Sequence, residues 1–391
     1  MPWGAIDDDA INEAAKLLGT ELTEDRVRWV TEANADAIRH FAEGTGDTNP
    51  LWRDPDYGPA TRWGAMIAPP TFLYAVDLPH TAVGLPGASW FDGGASWTWF
   101  DHVRRGDAVD ARTVFDSMVE KSGRFADRWV LQTNRTTYTA TGPNYADKVV
   151  GVVLANSARL PRGDELTKGG REVKNRPRPA HVYEPAELRA IEDAMLNERP
   201  RGAEPLFWED VADSADLPDL VRGPLTTTDM IGMYAGLCGV RPYGGVFADG
   251  IRYRRRTGQY AASESGALEA IGYGHMDQAA AEELGIAGAY DIGPSRISWA
   301  SIMVHNWMGD EGFLHKLSVR LIASNLVGDT IWWRGKVVDK RTAGNSCSVQ
   351  LELEARNQLG ELSAAGTAEV LLPSRAQGPV TLPVRMSGDE G

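Results

Sequence analysis

The spacing of apolar residues predicts a helix followed by strands in the first half of the chain. Ala35, Ile38 and Phe41 recur at helical intervals on one face, and Gly44 is placed to end the helix. Further on, aromatic and β-branched residues form short runs that are typical of strands. The predicted strands are 95–100, 108–119, 128–138 and 149–156. One helix followed by several antiparallel strands predicts the α+β class.

The second half of the chain repeats this order. Residues 226–229 suit the start of another helix, and an apolar stretch from 295 to 308 predicts a longer one. Each half also contains a Gly-Asp turn that leads into an alternating strand. Gly106 follows Asp54 by 52 residues, and Gly328 follows Asp277 by 51. This register aligns Trp52-Arg53-Asp54 with His275-Met276-Asp277 and predicts two copies of one ancestral unit.

Composition changes between the two copies. Arginine, lysine, glycine and proline are frequent from 160 to 183, which indicates a connection between domains. We therefore predict a first domain at 1–159, a connection with a short helix at 160–205, a second domain at 206–373 and a mobile tail at 374–391. The helix of the connection is expected at 185–197, with Pro185 in its first turn.

Bulk composition indicates an ordinary folded protein and excludes some partners. The 391 residues are 42% hydrophobic and 24% charged, and the net charge is −14. That charge argues against a nucleic acid or an anionic membrane as partner. No segment approaches a membrane span, and the N-terminus has no signal-peptide pattern. Only Cys238 and Cys347 are present, without metal-ligand spacing, so we expect a reducing, cytoplasmic location and no metal.

The loop after the first predicted helix carries candidate chemistry. It reads Gly-Asp-Thr-Asn-Pro-Leu-Trp-Arg-Asp from residue 46 to residue 54. Asp47 and Asn49 suit a turn bonded by their own side chains, and Pro50 prevents the helix from continuing. The loop can therefore aim a carboxylate at a ligand. The alternative is that Asp47 and Asn49 only satisfy their own turn.

These residues resemble the signature of the MaoC-like, (R)-specific enoyl-CoA hydratases, Gly-Asp-x-Asn-Pro-(Ile/Leu)-His-x-Asp. The match departs at Trp52, which occupies the position of the family's catalytic histidine. Residues 289–299 and 306–312 look like the two-domain MaoC-type acyl dehydratases. The resemblance implies a double hotdog fold, in which each half is a long helix wrapped by an antiparallel sheet. It also implies an acyl-CoA thioester substrate, with no cofactor beyond the CoA of the substrate.

Hydration of an enoyl thioester needs a base for water, an acid for the α-carbon and donors for the thioester oxygen. The resemblance and the repeat together point to Asp47 and His275 for proton transfer, with Glu269 as a substitute acid beside His275. A backbone N–H at Gly293 is the candidate donor to the oxygen. Whether Asp47 and His275 share one cleft stays open at this point. Asn49, Trp52, Arg254 and Arg255 are the further expected substrate-binding residues, the arginines for CoA phosphates.

The predicted function is therefore interconversion of an enoyl-CoA and a 3-hydroxyacyl-CoA. Two alternatives stay open. Because Trp52 replaces a histidine, the chain can instead be a non-catalytic acyl-CoA-binding subunit whose partner brings an intact Asp/His pair. A hotdog acyl-CoA thioesterase is the other alternative. We expect a homodimer, or a hetero-oligomer with a second MaoC-like chain.

Overall fold

The computed structural model describes residues 6–23, 28–123, 126–143, 145–161, 178–237, 239, 245–257, 260–262 and 265–384. Within these ranges the α-helices, numbered in chain order, have the following bounds: α1 Asp8–Ala15, α2 Ala35–Thr45, α3 Pro50–Arg53, α4 Tyr57–Ala60, α5 Leu73–Val76, α6 Pro185–Leu196, α7 Thr227–Leu237, α8 Phe247–Thr257, α9 Gln278–Glu283 and α10 Gly293–Met308. The strands are β1 Ser89–Trp99, β2 Ala108–Gly123, β3 Ala126–Gly142, β4 Tyr145–Leu160, β5 Leu220–Arg222, β6 Tyr260–Ala262, β7 Leu268–Ala270, β8 Phe313–Leu321, β9 Ile331–Ala343, β10 Ser346–Asn357 and β11 Leu362–Leu371.

One antiparallel sheet runs through both halves of the molecule. Its strand order is β2-β3-β4-β1-β8-β11-β10-β9-β5. Read from the outside inwards, β9-β10-β11-β8 repeats the order β2-β3-β4-β1, so the halves are related by a pseudo-twofold axis. The halves meet where β1 pairs with β8, with Trp97 opposite Leu317. The repeat predicted from sequence is thus present in the topology.

Helix α10 lies at the centre of the second half. Every residue of this helix except Asn306 is buried. A helix that is enclosed on all sides is expected to have apolar side chains, or polar side chains with hydrogen-bond partners, on every face. The sequence of α10 agrees with this expectation because no face of the helix is charged. The equivalent helical segment of the first half is much shorter. It consists of a 3-10 turn at Pro70–Phe72 followed by helix α5, which is capped by Asp77.

Helices α2 and α7 occupy equivalent places in the two copies and cross each other closely. The crossing is at two glycines, Gly44 and Gly236. A Cβ atom built on Gly236 would lie 2.5 Å from the carbonyl oxygen of His40, and one on Gly44 would lie 2.7 Å from the carbonyl oxygen of Gly232. The absence of side chains at the two glycines therefore sets how closely the halves approach.

The ends of α2 differ from the sequence expectation by a few residues. Asn34 caps the helix, with its side chain accepting from the Ala37 N–H, and Gly46 ends it with a φ of 72°. A left-handed φ is accessible to glycine without the steric clash of a Cβ atom, which explains why the helix ends there. The Asp47 carboxylate therefore follows the helix end directly.

The connection and the tail are partly described. Helix α6 forms at the place predicted for a short helix, and residues 162–177 of the predicted connection lie outside the described residues. Residues 374–384 of the predicted mobile tail pack on both halves: the Arg375 guanidinium pairs with Asp210 of the second half at 2.7 Å, and the Val384 N–H donates to the Phe100 carbonyl oxygen of the first half at 2.7 Å. Residues 385–391 lie outside the described residues.

The architecture confirms the predicted α+β double hotdog. Each half contains a four-stranded antiparallel sheet that curves over a buried helix, and the two sheets join edge to edge. Among the residues that the structure describes, no helix combines the length and the apolarity that crossing a membrane requires.

Candidate functional site

The loop at residues 46–54, here called the Asp47 loop, is closed on itself. The Asp47 Oδ1 accepts from the Asn49 N–H at 3.0 Å, and the Asn49 Oδ1 accepts from the Leu51 N–H at 3.0 Å. Asn49 thereby caps α3. Both side chains are buried, so the polar groups that the sequence offered as site residues bond within their own turn.

Burial dominates the electrostatics of Asp47. Removal from water raises the pKa of its carboxyl to about 6, although the Asn49 N–H, the Trp52 indole and the charge on Arg222 oppose the change. Trp52 is almost fully buried and packs edge-on against His305, with 5.3 Å between the ring centroids. The indole therefore fills the space beside Asp47.

The second half holds the Asp47 loop in place. The Arg222 Nη2 donates to the Gly46 carbonyl oxygen at 3.3 Å, while its Nη1 pairs with Glu198 at 2.6 Å. The Trp299 Nε1 of α10 donates to the Thr45 carbonyl oxygen at 3.2 Å. These contacts fix the loop as a brace between the halves.

The helix start of the first half offers little to a ligand. The Ala68 N–H donates to the Val103 carbonyl oxygen at 2.9 Å, and Pro69 and Pro70 have no N–H. The adjacent recess contains His102, which packs between Trp63 and Phe313 with ring centroids 4.4 and 5.1 Å away. Burial lowers the pKa of His102 to about 3, so its ring is neutral. Aromatic side chains thus fill this recess.

In the second half, five residues gather around the start of α10: His275, Tyr290, Gly293, Asp92 and His80. We call this group of residues the α10 cleft. His275 ends a 3-10 turn at Ile271–His275, and its Nδ1 donates to the Tyr290 carbonyl oxygen at 2.9 Å. Because the carbonyl only accepts, Nδ1 carries the proton, and in the neutral ring Nε2 carries the lone pair. Tyr234 of α7 faces the same ring at 6.1 Å.

Burial sets the protonation state of His275. Loss of water lowers the pKa of the imidazole below its ordinary value of 6.5, and this effect exceeds the opposing influence of the Tyr290 carbonyl and of the charges on Asp291 and Asp92. The ring is therefore neutral near pH 7. A buried neutral imidazole with one lone pair is a suitable general base.

Helix α10 begins in this cleft at Gly293. The first turn contains Pro294, which has no N–H, and the Ser295 N–H donates to the Ile292 carbonyl oxygen at 2.9 Å. Gly293 supplies the N–H of this turn that has no acceptor within the helix. Such an N–H at the positive end of a helix suits an oxygen that gains negative charge.

A salt bridge holds the start of α10 in position. The Asp291 carboxylate accepts from the Arg296 guanidinium at 2.6 and 2.7 Å, and the Asn325 side chain donates to the same carboxylate at 2.7 Å. All three residues are buried. Asp291 and Arg296 therefore brace the loop that presents the Tyr290 carbonyl to His275.

Asp92 and His80 of the first half also belong to the α10 cleft. The sequence interpretation did not include these two residues. The Asp92 carboxylate lies against Gly293, and the His80 Nε2 lies 3.1 Å from the Asp92 Oδ1. The signal in the sequence was weak: Asp92 and two glycines stand directly before the strand predicted at 95–100, and glycines at a strand often mark a β-bulge. Nothing in the spacing of residues related this bulge to His275.

The other predicted site residues lie in different places. Asp47 and His275 lie at different parts of α10: the loop of Asp47 contacts Trp299 and His305 further along the helix, whereas His275 bonds to Tyr290 before its start. Glu269 is exposed on β7, and its carboxylate accepts from the neighbouring Ala270 N–H at 3.0 Å. We therefore assign Glu269 no part in the cleft.

Arg254 and Arg255 lie in the last turn of α8, an insertion between α7 and the His275 loop. Arg254 is half-buried and Arg255 is exposed. Tyr253 of the same helix is close enough to Tyr273 to influence the pKa of that phenol, and Tyr273 lies two residues before His275. Helix α8 therefore lies near the loop that carries His275, and the Tyr273 hydroxyl donates to the Gly245 carbonyl oxygen just before this helix at 3.5 Å.

Part of the first half of the chain is similar in sequence to known proteins. Residues 18–147 match a family model described as FAS1-like, dehydratase domain region. A UPF0336 protein of Parafrankia sp. (strain EAN1pec) is 31% identical over 128 residues, which cover 31% of this chain and 82% of that protein. A UPF0336 protein of Streptomyces avermitilis is 29% identical over 99 residues, covering 24% of this chain and 66% of that protein. The chain thus spans about two thirds of the length of the latter relative.

Solved structures resemble the whole chain in fold. A MaoC-like dehydratase superimposes with a TM-score of 0.59 at 15% identity, covering 91% of this chain and 99% of the other. A MaoC-like dehydratase from Phytophthora capsici superimposes with a TM-score of 0.50 at 12% identity, covering 95% and 99% of the two chains. At these identities the likeness establishes the fold alone.

Proposed function

Because the chain belongs to the UPF0336 family and has the double-hotdog fold of MaoC-like dehydratases, we propose that it is a hydratase or dehydratase acting on an acyl thioester in the α10 cleft. The observation that carries the proposal is the position of His275: a buried, neutral imidazole at the start of the central helix, with its Nδ1 proton held by the Tyr290 carbonyl oxygen. This position supports the sequence interpretation of His275 as the base.

The proposed reaction is addition of water across the double bond of an enoyl-CoA. The water oxygen bonds to the β-carbon while the His275 Nε2 takes one of its protons. The electron pair of the double bond moves towards the thioester oxygen, which lies near the Gly293 N–H as it becomes an enolate. The imidazolium then returns its proton to the α-carbon. Dehydration of a 3-hydroxyacyl-CoA follows the same steps in reverse.

We propose the CoA phosphates as ligands of Arg254 and Arg255. Guanidinium groups bind phosphate through charge-assisted hydrogen bonds, and three arginines occupy the last turn of α8, the helix inserted before the His275 loop. The net charge of the chain is −14, and this charge repels the phosphates of CoA. Binding of these phosphates therefore needs a local cluster of basic residues.

For the first half we propose a bracing role. Asp47 and Asn49 bond within their own turn, Trp52 fills the adjoining space, and the loop is bonded to Arg222. These contacts favour a structural role for the residues that match the hydratase signature. The expectation of a dimer or hetero-oligomer, and that of a cytoplasmic location, stay predictions.

The test is an assay of the purified chain alone with crotonyl-CoA and a series of longer enoyl-CoA substrates. Loss of enoyl absorbance with formation of the 3-hydroxyacyl-CoA supports the proposal. Release of free CoA thiol without hydration supports a thioesterase instead. Binding of acyl-CoA by calorimetry without any conversion supports a non-catalytic subunit and contradicts the proposal.

A further inference from the structure

We propose that Asp92 of the first half is the carboxylate that works with His275, and that His80 holds it in position; the inference rests on the function proposed above. The catalytic pair then belongs to the two halves jointly, although neither half contains a complete pair in one loop. Four observations carry the assignment: a missing carboxylate, a β-bulge, a glycine contact and a buried histidine.

The loop of His275 lacks a suitable carboxylate of its own. In the first copy Asp47 precedes Trp52 by five residues, and the same position before His275 is Ala270. Ala270 is buried, so its methyl group lies inside the protein where a carboxylate is expected. The neighbouring Glu269 is exposed. Two carboxylates influence His275: Asp291, which is already bonded to Arg296 and Asn325, and Asp92 of the first half.

A β-bulge in β1 directs Asp92 into the α10 cleft. The register between β1 and β4 shifts between Asp92 and Gly94, and Gly94 has a φ of 103°. The Gly94 N–H donates to the Asp92 Oδ1 at 2.7 Å, which fixes the carboxylate within the bulge. Bulges of this kind change the direction of one side chain and occur often beside active sites.

The Asp92 carboxylate reaches the start of α10. A Cβ atom built on Gly293 would lie 2.0 Å from the Asp92 Oδ2, so position 293 accepts only glycine while the carboxylate is there. The positive end of a helix stabilises a nearby negative charge. The start of α10 therefore stabilises the ionised form of Asp92.

His80 is the contact that holds Asp92. Its Nε2 lies 3.1 Å from the Asp92 Oδ1, and its side chain is almost fully buried. The ring lies between Tyr74 and Trp90, each with a centroid distance of 6.3 Å. His80 therefore acts through Asp92 and is a positioning residue.

The groups around both residues decide their charges. His275 is faced by Asp92 of β1, by Tyr290 and Asp291 before α10, and by Tyr234 of α7. Burial raises the pKa of Asp92, but His80, the Gly94 N–H and Arg296 together lower it below the ordinary value. Asp92 is therefore ionised near pH 7 while His275 is neutral.

In the proposed reaction Asp92 accepts a hydrogen bond from the attacking water. The other proton of this water goes to His275 as the oxygen bonds to the β-carbon, and the carboxylate then faces the new imidazolium. Attraction between the opposite charges stabilises the imidazolium until its proton passes to the α-carbon. Asp92 is ionised at the beginning and at the end of the cycle.

The first test is Asp92→Asn, measured as kcat and as the pH dependence of kcat/KM. We expect kcat to fall by about 10²-fold or more. Removal of a negative charge makes protonation of His275 harder, so the acidic limb of the profile should move to lower pH. Asp101→Asn is the matched control, because Asp101 is also a buried carboxylate of the first half and pairs with Lys148 at 2.7 Å. Its acidic limb should stay at the wild-type position.

The second test uses His80 and keeps Asp92. His80→Leu removes the group that lowers the pKa of Asp92, so the carboxylate should protonate at higher pH and the acidic limb should move to higher pH, opposite to Asp92→Asn. His80→Gln keeps a donor and should restore most of the wild-type kcat. His315→Gln is the control, because His315 is a buried histidine of β8 whose Nδ1 donates to the Trp99 carbonyl oxygen at 2.8 Å.

The outcomes separate this inference from the proposed function. An inactive wild-type chain contradicts the proposed function and, with it, the inference. An active wild-type chain whose Asp92→Asn variant keeps kcat within about twofold and an unmoved acidic limb overturns the inference alone. If Asp92→Asn does not fold, as judged by circular dichroism, the opposite shift in His80→Leu supports the inference and an unmoved limb overturns it.

Discussion

The His275 Nδ1 lies 2.9 Å from the carbonyl oxygen of Tyr290. Fifteen residues and a short helix separate the two along the chain, and the loop before α10 brings them together. This hydrogen bond determines which nitrogen of the imidazole carries the proton, and it therefore determines which nitrogen can take one from water. The first copy has an indole at the equivalent position, which cannot act in this way.

Replacement of His275 should remove turnover without removing the fold. We expect His275→Ala to lower kcat with the preferred enoyl-CoA by about 10²–10⁴-fold, because the side chain is proposed to move the proton. His181→Ala is the control, since His181 is a half-buried histidine that pairs with Glu187 at 3.0 Å. The measurement is steady-state hydration beside a thermal melt. Undiminished turnover in His275→Ala would remove the assignment.

The decline of wild-type kcat/KM on the acidic side of its pH profile should occur at low pH. Burial keeps the pKa of His275 below 6.5, so the neutral, basic form persists as the pH falls through that value. We expect kcat/KM to decline only below pH 6.5 and to remain high near pH 7. A profile of kcat/KM against pH measures this directly. A limb above pH 6.5 contradicts a buried base at this position.

Asp47 should make stability depend on pH. The pKa of its carboxyl is about 6 in the folded chain, and the ordinary value of 3.8 applies to the unfolded chain. Between these two pH values the folded state therefore binds the proton more tightly than the unfolded state. Stability should therefore fall as the pH rises through this window, by about 3 kcal/mol in total. Asp47→Asn should flatten this part of the curve while keeping an oxygen that accepts from the Asn49 N–H. Urea unfolding between pH 4 and pH 7 is the measurement, and an unaltered slope contradicts the prediction.

Two glycines of α7 should respond differently to an added side chain. At Gly236, where α7 crosses α2, a methyl group should destabilise the protein, and at Gly232 it should not. In Gly236→Ala the new Cβ would lie 2.5 Å from the His40 carbonyl oxygen, so we expect a loss of about 1–3 kcal/mol in the free energy of unfolding. Gly232→Ala on the same helix meets nothing within 4 Å and should be neutral or stabilising by about 0.5–1 kcal/mol. Equal effects of the two variants in denaturant unfolding contradict the close crossing.

Arg254 and Arg255 should affect binding of the CoA portion and leave the chemical step unchanged. The double variant Arg254→Ala, Arg255→Ala is expected to raise KM for an enoyl-CoA about tenfold or more with little change in kcat. The difference should disappear with an enoyl-pantetheine thioester, which lacks the nucleotide phosphates. Arg334→Ala on β9 is the control, because this exposed arginine pairs with Asp219 at 3.2 Å. An equal KM effect with the pantetheine thioester contradicts phosphate binding.

The sequence by itself determined the α+β class, the two copies and their register. Local patterns report such features, because the period of apolar residues reflects which face of each helix or strand is buried. The register between Trp52 and His275 is a prediction from counting between similar turns, and these turns precede β2 and β9, which occupy equivalent places in the mirrored strand order. The bounds of α10 also followed to within two residues.

Only the tertiary structure decided which polar groups meet. Asp47 and His275 each belong to an equivalent loop, and the pseudo-twofold axis separates such loops. Asp92 lies against Gly293 at the start of α10 because a bulge in β1 turns its carboxylate towards this helix. Burial shifts the pKa of Asp47 and of His275, and the contact with His80 lowers the pKa of Asp92. Both effects arise from packing between segments that are distant in the chain, and no periodicity within one segment records them.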